Sequence, residues 1–195
     1  YNPNIYLEGY GGDKVLVIKG WKDELLKSQF ITEFKNEPFK SKLLRDERKL
    51  KIFTPKNYSI KKRYPVIYIA DNGENFKTAA SILKLWSDLD YKNIPDCILI
   101  GIPFKDKELE SYSETNEKAD LLKDYVTFDV IPFINSNFST SGFNIFAGKS
   151  TEAEFAHNLI LNKNNPFDAI ISMTPENKID YTINLKRYFE NYNGN

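Results

Sequence analysis

Ser150 is the residue whose sequence context best fits a chemical role. The stretch "FNIFAGKSTEAEFAHNLI", residues 143–160, reads as an apolar strand that turns sharply into a helix, with the serine at the turn. A strained strand-to-helix turn exposes a serine oxygen and aims the next backbone N–H at a developing oxyanion. Gly148 and Ser150 fit the G-x-S-x-G pattern of such turns, and Glu152 replaces its second glycine. The pattern predicts nucleophilic acyl transfer, with Thr151 donating one oxyanion-hole N–H.

The same residues also fit a structural role, in which Ser150 caps the helix predicted at 151–163. Acidic residues in the first turn, such as Glu152, would then favour the positive end of the helix dipole. Small residues usually flank a nucleophile in this turn because the strand and helix backbones pass close together, and Glu152 departs from that requirement. Lys149 diverges from the serine and does not replace a general base. The pattern alone leaves capping and catalysis open.

Strands that alternate with helices would position this turn. From residue 47 onward, alternating polar and apolar residues predict a half-buried strand, continuous apolar runs predict strands buried on both faces, and apolar residues at helical spacing predict the helices between them. The predicted strands are 48–55, 65–70, 97–102, 143–148 and 167–173. The predicted helices are 75–90, 117–136 with a kink at Pro132, 151–163 and 180–193. We therefore predict a three-layer α/β/α fold with a mostly parallel sheet, whose reactive groups collect at the carboxyl ends of the strands.

The first 45 residues carry a weaker pattern. Apolar runs predict strands at 14–20 and 29–36, and the glycine-rich stretch 9–14 fits a hairpin turn. With 195 residues, 41% of them hydrophobic, the chain can bury one core and needs no second domain. We predict N-terminal strands, 1–40, packed on an α/β domain, 41–195.

Composition argues against several classes of function. The 27 basic and 27 acidic residues give no net charge to attract nucleic acid or an anionic membrane. No apolar stretch approaches the roughly 18 residues of a membrane span. The sequence has no glycine-rich nucleotide motif after a strand and only one His and one Cys, so we predict no cofactor and no metal. Cys97, inside "CILIGI", is expected to be a buried thiol.

Three blocks of the sequence, 47–76, 94–114 and 126–176, resemble successive blocks of the putative-esterase group of α/β-hydrolases. That group includes esterase D, the enterobactin esterases and the feruloyl-esterase-like domains. The matching motifs lie at 65–73, 131–134 and 166–175. The resemblance implies an α/β-hydrolase fold and a serine carboxylesterase for small ester or acyl substrates, with Ser150 as the nucleophile. Asn72 or Gly73 would supply the second oxyanion-hole amide.

The chain departs from that group at positions that face the site. The turn in that group usually has the sequence G-H-S-x-G-G, whereas "GKSTEA" has Lys149 in place of the histidine and lacks both later glycines. Thr174 and Pro175 replace a Ser-Pro pair, and "KDKELESYSE", 105–114, replaces an arginine-containing loop. Several site-facing positions differ together while the core pattern remains.

A serine nucleophile also needs a general base, and His157 is the only histidine. It lies seven residues after Ser150, about 10 Å along the predicted helix, so it is not the base for that serine. In this fold the acid and then the histidine follow the serine. Glu176 is an acid without a histidine to orient. The predicted strands end at 167–173, so the last two strands of this fold, which would carry the triad acid and histidine, are not among them.

Two hypotheses follow from the incomplete triad. In the first, the chain is an N-terminal piece of a longer esterase whose acid and histidine lie beyond residue 195. In the second, it is a degenerate hydrolase that serves as a binding or scaffold subunit, because the carboxylate of Glu152 would repel a developing oxyanion. In either case the apolar strand 167–173 is an open sheet edge. We expect a homodimer contact, a partner protein or the missing part of the same protein to cover that edge.

Overall fold

The computed structural model describes residues 5–10, 13–18, 33–70, 74–88, 94–105, 108, 116–161, 164–174, 186 and 190. Its contacts divide the chain into two compact units, Tyr1–Thr32 and Glu33–Asn195. In the first unit, β1 (Ile5–Tyr10) pairs antiparallel with β2 (Asp13–Ile18), and the pairing ends at Tyr10 and Asp13. This hairpin confirms the strand predicted at 14–20. The packing of residues 1–40 on the rest of the chain stays a prediction.

The second unit contains a six-stranded mixed sheet. Its strands are β3 (Lys35–Lys40), β4 (Glu47–Phe53), β5 (Tyr64–Ala70), β6 (Ile98–Ile102), β7 (Thr140–Lys149) and β8 (Ala169–Met173), in the order β3-β4-β6-β5-β7-β8. β6, β5, β7 and β8 are parallel, whereas β3 and β4 are antiparallel to their neighbours. The predicted mostly parallel sheet is therefore confirmed, and the carboxyl ends of four strands lie along one edge of it.

Helices cover both faces of this sheet. They are α1 (Glu74–Asp88), α2 (Asn116–Asp124), a π-helical segment (Tyr125–Val130), α3 (Ile131–Asn137) and α4 (Thr151–Leu161). The larger core cluster includes Tyr68, Phe146 and Phe155, and a smaller cluster with Phe76 of α1 lies on the opposite face. Cys97 is buried, and burial raises the pKa of its thiol to about 11. The helix predicted at 180–193 lies almost entirely outside the described residues.

The long helix predicted at 117–136 is interrupted before Pro132. The N–H of Ile131 donates to the carbonyl of Val126, a five-residue spacing typical of π-helix. Pro132 lacks a backbone N–H, and its ring crowds the carbonyl of the preceding helical turn. The wider π-helical turn lies directly before the proline, where that crowding occurs. The π-helical segment presents Asp129, whose carboxylate accepts hydrogen bonds from Ser41 Oγ (2.7 Å) and the backbone N–H of Lys42 (2.8 Å). The kink at Pro132 stays a prediction, and the structure places a π-helical segment just before it; the contact of this segment with the chain between β3 and β4 was not predicted.

The strand predicted at 29–36 is displaced: of its described residues, 33–36, only Lys35 and Asn36 lie in a strand. β3 begins at Lys35 and runs on through Pro38, and residues 29–32 lie outside the described residues. Pairing with β4 decides the position, because Phe39, opposite Arg48, is the residue of β3 that reaches the core. A proline is tolerated because β3 forms the edge of this sheet.

Candidate active site

Ser150 lies at the turn between β7 and α4, at the carboxyl edge of the parallel strands. Its backbone has φ = 60°, a left-handed conformation that non-glycine residues rarely adopt and that is often found at functional sites. Its N–H donates to the carbonyl of Met173 (3.0 Å), and its own carbonyl accepts the N–H of Ala153 (3.0 Å). These bonds fix the turn between strand β8 and the first turn of α4. The strained turn predicted from the sequence is therefore present.

Gly148 makes this turn sterically feasible. A Cβ atom at Gly148 would lie 2.3 Å from the carbonyl oxygen of Glu152 and 2.9 Å from the backbone nitrogen of Ala153. The close approach of strand and helix thus involves the backbone of Glu152 and not its side chain, which is buried. Only position 148 requires a residue without a Cβ atom. Glutamate at position 152 is compatible with the turn.

The other predicted site residues are distributed unevenly around the turn. Thr151 is half-buried and begins α4, so its N–H lies in the first turn of the helix. Lys149 ends β7 and is exposed. Asn72 and Gly73 lie outside the described residues, as does Glu176, so their predicted roles remain predictions.

His157 lies on α4 and contacts a serine other than Ser150. Its Nε2 is 2.9 Å from Oγ of Ser172 in β8. Burial lowers the pKa of His157, and the nearby carboxylate of Glu154 partly offsets this effect. The prediction that His157 points away from Ser150 is consistent with this contact, whereas its pairing with Ser172 was not predicted.

A buried arginine anchors the loop that follows β6, which borders the same edge of the sheet. The Arg48 side chain, 3% exposed, uses all five of its N–H donors. Nη1 donates to the carbonyl of Pro103 (2.7 Å) and to Glu108 Oε2 (2.8 Å), and Nη2 donates to Glu108 Oε1 (2.6 Å). Nε and Nη2 also donate to the carboxylate of Asp46, at 2.9 and 3.0 Å.

These contacts hold both carboxylates ionised. Hydrogen bonds from Arg48 lower the pKa of Asp46 to about 2. Burial opposes ionisation of Glu108, but its hydrogen bonds from Arg48 and the Lys105 backbone lower its pKa overall. Arg48 was not among the site residues predicted from the sequence. The available signal was its place in β4, where alternation puts it on the same buried side as Leu50.

Aromatic contacts connect this anchored loop to the helix that begins at the Ser150 turn. The ring of Phe104 packs edge-on against Phe155 of α4 and against Tyr125 of the π-helical segment, with centroid distances of 6.0 and 6.3 Å. The guanidinium of Arg48 lies 5.1 Å from the Tyr125 ring centroid. The loop after β6 and helix α4 therefore belong to one packed layer above the sheet.

The described residues place a serine in a strained turn at this edge of the sheet. They contain no group of three His, Cys, Asp or Glu side chains that could hold a metal ion. No helix in the same part of the chain has the length and hydropathy to cross a membrane. Half-buried Ser150 lies in a left-handed turn directly before the N-terminus of α4, where backbone N–H groups can donate to an anion.

The chain is similar to a family model and to a curated bacterial relative. The model described as "Putative esterase" matches residues 41–179. The relative, described as uncharacterized protein YjcH of Bacillus subtilis (strain 168), is 27% identical over 142 residues. That match covers 70% of this chain and 59% of the relative.

Solved structures of hydrolases have a similar fold. An IroE-like serine hydrolase from Shewanella oneidensis is 24% identical with a TM-score of 0.69, and the match covers 81% of this chain and 55% of that one. The siderophore hydrolase EstA from Aspergillus nidulans is 17% identical with a TM-score of 0.65, and the match covers 83% and 64%. At these identities the likeness shows the fold alone. The chain spans less than two thirds of the length of each of the three relatives.

Proposed function

Because the chain belongs to the "Putative esterase" family, we propose that Ser150 is the nucleophile of a serine esterase that acts on small ester or acyl substrates. The positive φ of Ser150 carries this proposal, since strain of this kind persists only where the surrounding structure enforces it. The enforcement comes from the bond between the Ser150 N–H and Met173 and from the tight passage at Gly148.

In this mechanism Ser150 Oγ attacks the ester carbonyl and forms a tetrahedral oxyanion. The N–H of Thr151 and an amide at Asn72 or Gly73 would stabilise that charge. The general base is not His157, which contacts Ser172. A complete triad at Ser150 therefore needs a histidine that these 195 residues do not contain, since His157 is the only one among them.

Fluorophosphonate labelling followed by tryptic mapping tests this proposal on the full-length natural protein. Cleavage after Lys149 and Lys163 places Ser150 in the peptide 150–163. We expect a probe adduct on this peptide that disappears in Ser150→Ala and persists in Ser141→Ala, which changes an exposed serine elsewhere on β7. An unlabelled 150–163 peptide in a folded protein would remove Ser150 from catalysis.

A non-catalytic binding subunit is the second candidate function, and the exposed side of β8 favours it. Ile171 and Met173 are 47% and 45% exposed on the last strand of the described sheet. An open apolar edge of this kind favours pairing with another chain. The carboxylate of Glu152, one residue after the proposed oxyanion donor, would also disfavour catalysis.

A charge on β8 tests whether this edge mediates association. We expect Ile171→Lys to weaken self-association about tenfold or more, because it removes an apolar contact worth roughly 1.5–3 kcal/mol and adds an edge charge. Light scattering over a concentration series measures the change. Ile60→Lys is the control, since Ile60 is 82% exposed in the turn before β5. A wild-type protein that stays monomeric at high concentration would contradict self-association through β8.

A further inference from the structure

Ser172 and His157 form a pair with the geometry of a nucleophile and its base. Ser172 is an exposed residue of β8 and lies opposite Gly148 in the register with β7. Helix α4 packs on β7 and β8, and its His157 approaches Ser172 from that side of the sheet. The 2.9 Å separation of Ser172 Oγ and His157 Nε2 falls within the 2.6–3.2 Å range expected for such a pair.

The surroundings of His157 favour the protonation state that a base requires. Burial lowers the pKa of the imidazole, so the ring is neutral at pH 7. When the ring proton is on Nδ1, the hydroxyl of Ser172 donates to Nε2. Glu154, one helical turn earlier and only 1% exposed, contributes a negative charge that favours the imidazolium formed during the reaction.

We propose that Ser172 is a second reactive serine of this chain, activated by His157, and that it accepts an acyl or phosphonyl group from an activated ester or fluorophosphonate. In the phosphonyl case, Ser172 Oγ forms a bond to phosphorus, fluoride leaves, and the hydroxyl proton moves to His157 Nε2. With a carboxylic ester, the products are acyl-Ser172 and the alcohol, which takes up that proton. Ser172 is thus a modification site separate from the proposed nucleophile.

Ser172 and Ser150 are separate reactive positions, although the Ser150 N–H donates to Met173, the residue after Ser172. The single imidazole of these 195 residues contacts Ser172, so loss of His157 affects Ser172 directly. The φ of Ser150 is maintained by backbone hydrogen bonds that do not involve the imidazole. A purely structural role of the pair, in which the hydrogen bond only ties α4 to β8, would give no excess reactivity toward an electrophile. Probe reactivity therefore separates the two roles.

Tryptic mapping of the same fluorophosphonate reaction tests the proposal, because Ser172 falls in the peptide 164–178. The peptide 124–149 provides an internal reference, since the only imidazole of these 195 residues contacts Ser172 and not the serines at 136, 139 and 141. We expect 164–178 to be labelled at least about tenfold faster than 124–149. We also expect His157→Gln to slow this labelling by about 100-fold, the lower end of general-base effects. Ser172→Ala should abolish it.

The labelling of the two peptides distinguishes failure of the Ser172 proposal from failure of the Ser150 proposal. Equal labelling of 164–178 and 124–149, or undiminished labelling in folded His157→Gln, would overturn the role of Ser172. Because the wild-type ratio decides the question alone, a variant that fails to fold does not obscure it. Labelling of 150–163 without 164–178 would support Ser150 and reject Ser172, and the reverse pattern would do the opposite.

Discussion

Gly148→Ala is expected to destabilise the protein by about 3 kcal/mol or more, at the upper end of the cost of overpacking. The added methyl would lie 2.3 Å from the backbone oxygen of Glu152 and 2.9 Å from the nitrogen of Ala153. Backbone atoms cannot swing aside as the end of a flexible side chain does, so α4 must move away from β7. Urea unfolding at pH 7, monitored by circular dichroism, measures the loss.

Gly142→Ala is the matched control, because it separates crowding from backbone conformation. Gly142 lies in the same strand with φ = 85° and has nothing within 4 Å of an added Cβ. Its substitution should cost only about 1–2 kcal/mol, the usual penalty for a left-handed conformation. Equal losses at the two positions would show that the tight passage at Gly148 does not govern the turn.

Arg48→Met is expected to cost about 3 kcal/mol at pH 7. Removing one partner of a buried ion pair leaves the opposite charge uncompensated, which typically costs 3–5 kcal/mol. The lower end applies here, because the side chains of Asp46 and Glu108 are 23% and 24% exposed and retain some hydration. The substitution also leaves the carbonyl of Pro103 without its 2.7 Å donor. Urea unfolding again provides the measurement.

The same variant should lose part of its pH dependence. The pKa of Asp46 falls from 3.8 to about 2 on folding, so its pairing with Arg48 stabilises the protein fully above the unfolded pKa. That stabilisation is lost as pH falls through 3.8 toward 2. The pKa of Glu108 is lowered from 4.5, so its contribution has the same sign and begins to fall at a higher pH. Wild type should therefore weaken between pH 5 and 2 more steeply than Arg48→Met.

Lys105→Met tests the contribution of an exposed cation that pairs with the same Asp46 carboxylate as the buried Arg48. Lys105 Nζ lies 2.7 Å from Asp46 Oδ2, but its side chain is 67% exposed. An exposed ion pair contributes at most about 1 kcal/mol, and salt screens it. A loss in Lys105→Met as large as that in Arg48→Met would refute the assignment of the loop anchor to the arginine.

Local patterns in the sequence determined the order and type of most elements of the α/β domain. Continuous apolar runs gave the strands around 65–70 and 97–102, and the stretch 143–160 gave the strand, turn and helix around Ser150. These features depend on residues close together in the chain, and burial on both sheet faces leaves a clear hydrophobic signal. The esterase fold itself was implied by the resemblance of three sequence blocks to the putative-esterase group.

Only the tertiary structure decided which distant side chains meet. Arg48 contacts Glu108 across 60 positions of sequence, and His157 reaches Ser172 rather than Ser150. Sheet order decides both contacts, because it sets which loop lies beside β4 and which strand lies under α4. Periodicity reports which residues are buried but not against what. The fold could therefore be predicted from the sequence. The contact partners of His157 and Arg48 were decided by strand pairing and helix packing.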